Sequence, residues 1–220
     1  MAELYALDLR PWFHGAWREL LPALPQERQS RALACRLDAD GARIAGAGWL
    51  LQYALEQAGI PAGQQRFIQN PWGKPLLEGR ETPQFSLSHG GNWAVCAVSG
   101  QPVGVDVELL RCTMEIARRQ FHPAESQWLA QLPTPCQPEA LNRMWTAKEA
   151  FVKALGRGLT VPLDTFRVTL TPEQALLEQT LSPVSYRLHE YVLEDCRVCL
   201  CTTDPRPPLI PVAQKIGIWL

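Results

Sequence analysis

The chain has 220 residues and 24.6 kDa, enough for one large domain or two fused halves with a real core, which excludes a peptide, a coiled coil or a solenoid. Hydrophobic residues make up 46% and charged residues 20%; this is an ordinary globular composition, and no stretch reaches the roughly 18 apolar residues of a membrane helix. A net charge of −1 supplies no whole-molecule field for a polyanion, which disfavours non-specific nucleic-acid binding and leaves room for a local basic site that takes a small phosphorylated ligand. The longest apolar segment, Ile44 to Leu55, is broken by Gly46, Gly48 and Gln52. The N-terminus, with Glu3, Asp8 and Arg10, lacks the basic-then-apolar pattern of a signal peptide. The expectation is a cytoplasmic protein with no membrane partner. Seven cysteines, an odd number in a chain that needs no staples, read as reduced thiols.

In chain order, residues 3 to 9 (ELYALDL) read as a first strand. A helical stretch follows from about Pro25 to Leu37, then a longer one from about Ala42 to Ala58, where Ile44, Gly48, Leu51, Leu55 and Ala58 recur at helical spacing and Gly59 and Pro61 stop it. After the NPWGKP loop come three β-like runs, Gln84 to Ser88, Trp93 to Ser99 and Val103 to Glu108, separated by GGN and GQP turns. They are expected to form a meander. Helical patterns resume at Thr113 to Gln120 and Pro123 to Leu132, and a strong one runs from Pro138 to Leu155 with Gly156 as its stop. Further β-like runs lie at Thr165 to Leu170, Val184 to Leu193 and Arg197 to Thr203. The order predicts an α+β chain of two similar α/β halves, 1–103 and 104–220. The cluster Cys196, Cys199 and Cys201 lacks a second Cys pair or nearby His, so its alternation favours a buried strand over a soft-metal site.

Three pieces carry chemistry. In Val103-Gly104-Val105-Asp106-Val107-Glu108 the valines alternate, so one face of the strand is buried and Asp106 and Glu108 project together from the other. They are either solvated acids or the oxygen ligands of a divalent cation. On the helix from Pro138, the residues Leu141, Met144, Trp145, Val152 and Leu155 share one face, with Glu149 and Lys153 one turn apart on its flank. Lys148 falls inside the apolar stripe and needs an anion, for which Asp106, Glu108 or a bound phosphate are the candidates. The third piece is Ser86-Leu87-Ser88-His89-Gly90-Gly91, where Ser88 and His89 can donate to a phosphate and the glycines allow close backbone approach. Lys74, Arg28, Arg31 and Arg43 add basic side chains, each of which taken alone reads as solvated.

In this order, WGKP (72 to 75), FSLSH (85 to 89), VGVDVE (103 to 108), FHPAE (121 to 125) and WTAKEAFVKALGRGL (145 to 159) resemble the phosphopantetheinyl transferases of the surfactin-synthetase-activating type. The motifs cover the middle of the chain. The resemblance implies a pseudo-twofold fold with coenzyme A in the cleft between the halves, and transfer of its phosphopantetheine arm to a serine of an acyl, peptidyl or aryl carrier protein, with adenosine bisphosphate leaving. It implies that Asp106, Glu108 and Glu149 hold Mg²⁺ and that Lys153 contacts the pyrophosphate. Ser88, His89 and Lys74 then meet the ribose-linked phosphate, and Arg28, Arg31 and Arg43 make further basic contacts. The catalytic set is Glu149, Lys153 and Asp106, with Glu149 the candidate base, directly or through a water, and Glu125 the alternative. Arg118 and Arg119 are candidates for a basic rim facing an acidic carrier, or simply solvated. A monomer is expected. Two rivals use the same residues: a metal-dependent nucleotide pyrophosphate hydrolase, and a non-catalytic carrier-binding module.

Overall fold

The structure, a computed structural model, describes residues 1–79, 83–109, 113–206, 208 and 212–213, with residues 159, 212 and 213 by backbone alone. Strand β1 (Glu3–Asp8) leads through 3-10 turns at Arg10–Trp12 and Ala16–Ala23 to helices α1 (Gln26–Leu33) and α2 (Asp38–Gln57). A ribbon of β2 (Phe67–Gln69) and β3 (Pro75–Leu77) and a hairpin of β4 (Gln84–Gly90) and β5 (Trp93–Ser99) complete the first part. The second begins with β6 (Val103–Leu109), followed by α3 (Met114–Gln120), α4 (Pro123–Gln131) and α5 (Gln137–Leu155). It continues with a ribbon of β7 (Arg167–Leu170) and β8 (Ala175–Glu178) and a hairpin of β9 (Arg187–Leu193) and β10 (Cys196–Thr202). Last, β11 (Val212–Ala213) returns to lie parallel to β1.

The two parts repeat one topology. In the first, β1 runs antiparallel to β5, which is hairpinned to β4; in the second, β6 runs antiparallel to β10, which is hairpinned to β9. Both hairpins turn over a pair of residues, Gly91-Asn92 and Glu194-Asp195, and the first turn residue has positive φ in each, 55° and 52°. Glycine adopts that conformation freely; Glu194 does so at a cost of about 1 kcal/mol, with its carboxylate anchored on Arg10 at 2.8 Å.

Strand alternation places the core. Leu4 and Ala6 of β1, Val95 and Ala97 of β5, Val103, Val105 and Val107 of β6, and Val198 and Leu200 of β10 form one buried cluster between the two sheets. The opposite face of the first sheet takes Leu50, Leu51, Ala54 and Leu55 of α2. That of the second takes Ala147, Phe151 and Ala154 of α5 against Cys199 and Cys201. The layers are therefore helix, sheet, sheet, helix, and each fully buried Val or Leu contributes about 1.5–3 kcal/mol. Among the described residues no helix is long and apolar enough to cross a membrane.

The expected meander does not form. Both edges of β5 are occupied, by β4 and by β1, so β6 leaves the first sheet and its valines serve the second. Helix α2 starts earlier than Ala42, at Asp38, because Asp38 and Asp40 favour its first turn. The run from Cys196 is strand β10, and the described cysteines are free thiols. Nothing in the sequence pattern singled out β2, β3, β8 or β11, which are short and lack alternation.

One feature of the packing builds the cleft. Edge strand β4 of the first sheet lies against β6, the opening strand of the second: Ser86 Oγ accepts from the Val105 N–H at 3.0 Å, and a Cβ on Gly90 would stand 2.5 Å from the Val107 carbonyl oxygen. On the other side of β6, a Cβ on Gly104 would collide with the Ala150 carbonyl and the Ala154 nitrogen of α5. Small residues at these positions bring β4, β6 and α5 together.

Candidate active site

Because the valines of β6 fill the inter-sheet core, Asp106 and Glu108 face α5. Asp106 is 2% exposed. Its Oδ1 accepts from Lys153 Nζ at 2.6 Å and from Ser88 Oγ at 2.8 Å, and Lys153 Nζ also donates to Ser88 Oγ at 2.8 Å. A strand of the first half, a strand of the second and a helix thus meet at one carboxylate oxygen. The other oxygen, Oδ2, is buried and has no hydrogen-bond partner among the described residues.

Glu108 bonds the Trp145 side chain, whose indole N–H is the donor, and its carboxyl is pushed up to about 7. Burial is the main cause and the Asp106 charge the next; Lys153 and the Trp145 bond oppose them, and Glu149 adds to them. Glu149, one turn before Lys153, is raised by burial and then by Asp106, with Lys153 opposing. The three carboxyls therefore stand in one another's field. α5 presents this set because Pro138 suits its first turn and Gly156, at φ 70°, ends it in a left-handed cap.

The donor set is compatible with a hard divalent cation: carboxylates only, one oxygen buried and unpaired, and mutual repulsion that the Lys153 ammonium offsets. Among the described residues no three His, Cys, Asp or Glu side chains already stand at metal-binding spacing. Of the two Asp106 oxygens, Oδ1 carries Lys153 and Oδ2 is the unpaired one.

A basic wall adjoins the acids. His89 follows Ser88 on β4, and its imidazole is held below the usual range by desolvation first and then by Lys153, Arg43 and Arg28. The Arg28 guanidinium is made less basic by burial and by Arg31. It lies across Gly48 of α2, where any Cβ would run into its stem. Arg28 and Arg31 line a groove of about 260 Å³ with Gln52, Ile68, Gln69 and Pro75.

Two expected ligands are engaged elsewhere. Arg43 donates to the Gly91 carbonyl at 3.0 Å and pairs with Asp40 at 2.8 Å, which braces the β4–β5 turn. Lys74 donates to the carbonyls of Val103 at 3.1 Å and Lys153 at 2.8 Å, and burial lowers it to about 8. It ties the NPWGKP loop to β6 and α5 instead of standing free beside Ser88.

The anion that Lys148 needs is neither Asp106 nor Glu108 nor a phosphate. It is Glu125, at 2.8 Å. Glu125 is therefore not available as a base: it is 2% exposed, and it also accepts from the backbone N–H groups of His122 and Val168. Of the two rim arginines, Arg119 pairs with Glu115 on the exposed face of α3, and it lines a second groove with Trp145, Glu149 and Val161. Trp145, on the apolar face of α5 by its spacing, bonds Glu108, which that spacing does not reveal. The only signal was an indole among aliphatic residues, since a buried indole N–H needs a partner.

A family model described as the 4'-phosphopantetheinyl transferase superfamily matches residues 102–201. A 4'-phosphopantetheinyl transferase of Bacillus subtilis is 33% identical over 157 residues, covering 70% of this chain and 67% of that protein. The 4'-phosphopantetheinyl transferase Sfp of Bacillus subtilis strain 168 is 32% identical over 161 residues, covering 71% and 69%. Among solved structures, the holo-[acyl-carrier-protein] synthase of Thermotoga maritima aligns with 46% of this chain and 61% of its own at 21% identity and a TM-score of 0.40. On its identity to the Bacillus relatives over more than two thirds of its length, the chain belongs to the 4'-phosphopantetheinyl transferase superfamily.

Proposed function

We propose that this chain moves the phosphopantetheine arm of coenzyme A onto a serine hydroxyl of an acyl, peptidyl or aryl carrier protein, releasing adenosine bisphosphate. The observation that carries the reading is the junction at Asp106 Oδ1. There Ser88 of the first half and Lys153 of the second meet inside a field of three carboxyls, beside a wall of His89, Arg28 and Arg31. The names of the relatives point to the same reaction.

In this reading Asp106, Glu108 and Glu149 hold Mg²⁺, which supplies charge neutralisation for the pyrophosphate. The residues of the chain do the rest. Lys153 contacts the pyrophosphate and offsets the charge that develops on the leaving oxygen. His89, Ser88 and the Arg28–Arg31 groove receive the ribose-linked phosphate and the adenosine end. Glu149, directly or through a water, takes the proton of the carrier serine. The serine oxygen forms the new bond to phosphorus as the pyrophosphate bond breaks. Arg43 and Lys74 hold the β4 turn and the end of α5 in register. The two halves build this cleft within one chain, so the protein acts as a monomer.

The test is intact mass spectrometry of an apo carrier after incubation with coenzyme A and Mg²⁺. The expected product is a carrier heavier by one phosphopantetheine. Free phosphopantetheine formed without any carrier would assign a hydrolase, and binding with no product a scaffold. Asp106→Ala and Glu149→Ala are each expected to lower kcat/KM by about a hundredfold or more. His89→Ala is expected to act mainly by raising the KM for coenzyme A.

A further inference from the structure

We propose that Lys153 is a resident counter-ion of the acid cluster, and that it has to leave Asp106 before a divalent cation can be held there, which couples cation affinity to the arrival of a pyrophosphate. The proposal rests on the carboxylate site described above and adds to it the state of that site without substrate.

Asp106 cannot stay ionised and unpaired at 4% side-chain exposure, because the desolvation cost would be large. The side chain that meets the need, Lys153, is itself 29% exposed, so it has room to withdraw toward solvent. The Ser88 hydroxyl accepts from the ammonium and donates to the carboxylate, which fixes the pair in place.

A dication placed on Asp106 would stand close to that ammonium and be repelled by it. The repulsion is relieved only if the lysine gains another anion. Lys153 Nζ donates to Ser88 Oγ at 2.8 Å and His89 follows Ser88 on β4, so the ammonium stands at the border between the acids and the basic residues of the first half. A pyrophosphate bound at that border would draw the lysine off Asp106 and open the carboxylates to the cation. Linkage is reciprocal, so bound cation would tighten pyrophosphate binding by the same factor.

The experiment titrates Mn²⁺ into the full chain, freed of metal, and follows free Mn²⁺ by electron paramagnetic resonance with and without saturating coenzyme A, corrected for coenzyme A alone. Wild type is expected to bind Mn²⁺ weakly by itself and about tenfold or more tightly with coenzyme A. Lys153→Met is expected to bind Mn²⁺ about tenfold more tightly than wild type without coenzyme A and to gain less from its addition, while Lys153→Arg, which keeps the cation, behaves as wild type. Wild type binding Mn²⁺ equally well with and without coenzyme A would overturn the proposal, and this pair of titrations decides even where the Met variant does not fold. Equal affinity of wild type and Lys153→Met without coenzyme A would overturn it as well. Failure of every form to bind Mn²⁺, with coenzyme A present, would instead remove the carboxylate site on which it rests.

Discussion

A charge taken out of water is tolerable only where its partner is buried beside it, and Lys148 and Glu125 meet that condition at 0% and 2% exposure. Beyond the 2.8 Å pair, Lys148 donates to the carbonyls of Leu163 and Phe166, and its ammonium lies 4.3 Å from the Phe166 ring centroid. Glu125→Ala would leave that ammonium unpaired and is expected to cost about 3–5 kcal/mol in urea unfolding, against a much smaller loss for Glu125→Leu combined with Lys148→Met. The need of Lys148 for an anion was legible from its place on the apolar stripe. The identity of the anion was not, since Glu125 reaches it only through the packing of α4 on α5 and β7. Glu108 gives a second residue-level test. In the folded, metal-free chain it titrates near 7, above its usual value of 4.5, so its contribution to stability is full below about pH 4.5 and is lost as the pH rises through about 7. Glu108→Gln is therefore expected to raise the Tm of the chelator-treated protein at about pH 8 and to change it little at about pH 4.5.

At the scale of elements, the helix that carries Glu149 and Lys153 is completed by a loop from the other half. The last carbonyls of any helix lack partners within it. In α5, that of Lys153 receives Lys74 Nζ at 2.8 Å and that of Gly156 receives Asn70 Nδ2 at 2.7 Å. Asn70 Oδ1 in turn accepts from the N–H groups of Trp72 and Lys74, which shapes the loop so that both donors face the helix end. Asn70→Ala is expected to cost about 1–2 kcal/mol and to speed amide exchange in the last turn of α5 while leaving α2 unchanged. That NPWGKP is a loop follows from its Pro and Gly alone. That it caps a helix far along the chain could not be read locally, because a helix end displays its orphan carbonyls without naming the donor. The same limit explains β6, whose alternation marked it as a strand while the choice of sheet depended on which edges of β5 were already filled.

Over the whole molecule, the repeated topology places β4 of one sheet against β6 of the next, and the site exists only while that contact is tight. Three small residues on one face of β4, Ser86, Ser88 and Gly90, make the approach possible. Gly90 is the most exacting of them, because a Cβ there would meet backbone, the Val107 carbonyl oxygen of β6 at 2.5 Å, and strand backbone cannot yield as a flexible side chain does. Gly90→Ala must therefore spread the halves, lengthen the 2.8 Å bond from Ser88 to Asp106 and loosen the acids from the basic wall. The expected result is a loss of about 1–3 kcal/mol in stability and of about tenfold or more in kcat/KM, with the circular dichroism of both halves retained. Gly100 supplies the control, since a Cβ there meets nothing within 4 Å, and Gly100→Ala is expected to stay within about 0.5 kcal/mol of wild type. If Gly90→Ala turned over at the wild-type rate, the close approach of β4 to β6 would not be what assembles the site, and the union of Ser88, Asp106 and Lys153 would lose its structural cause.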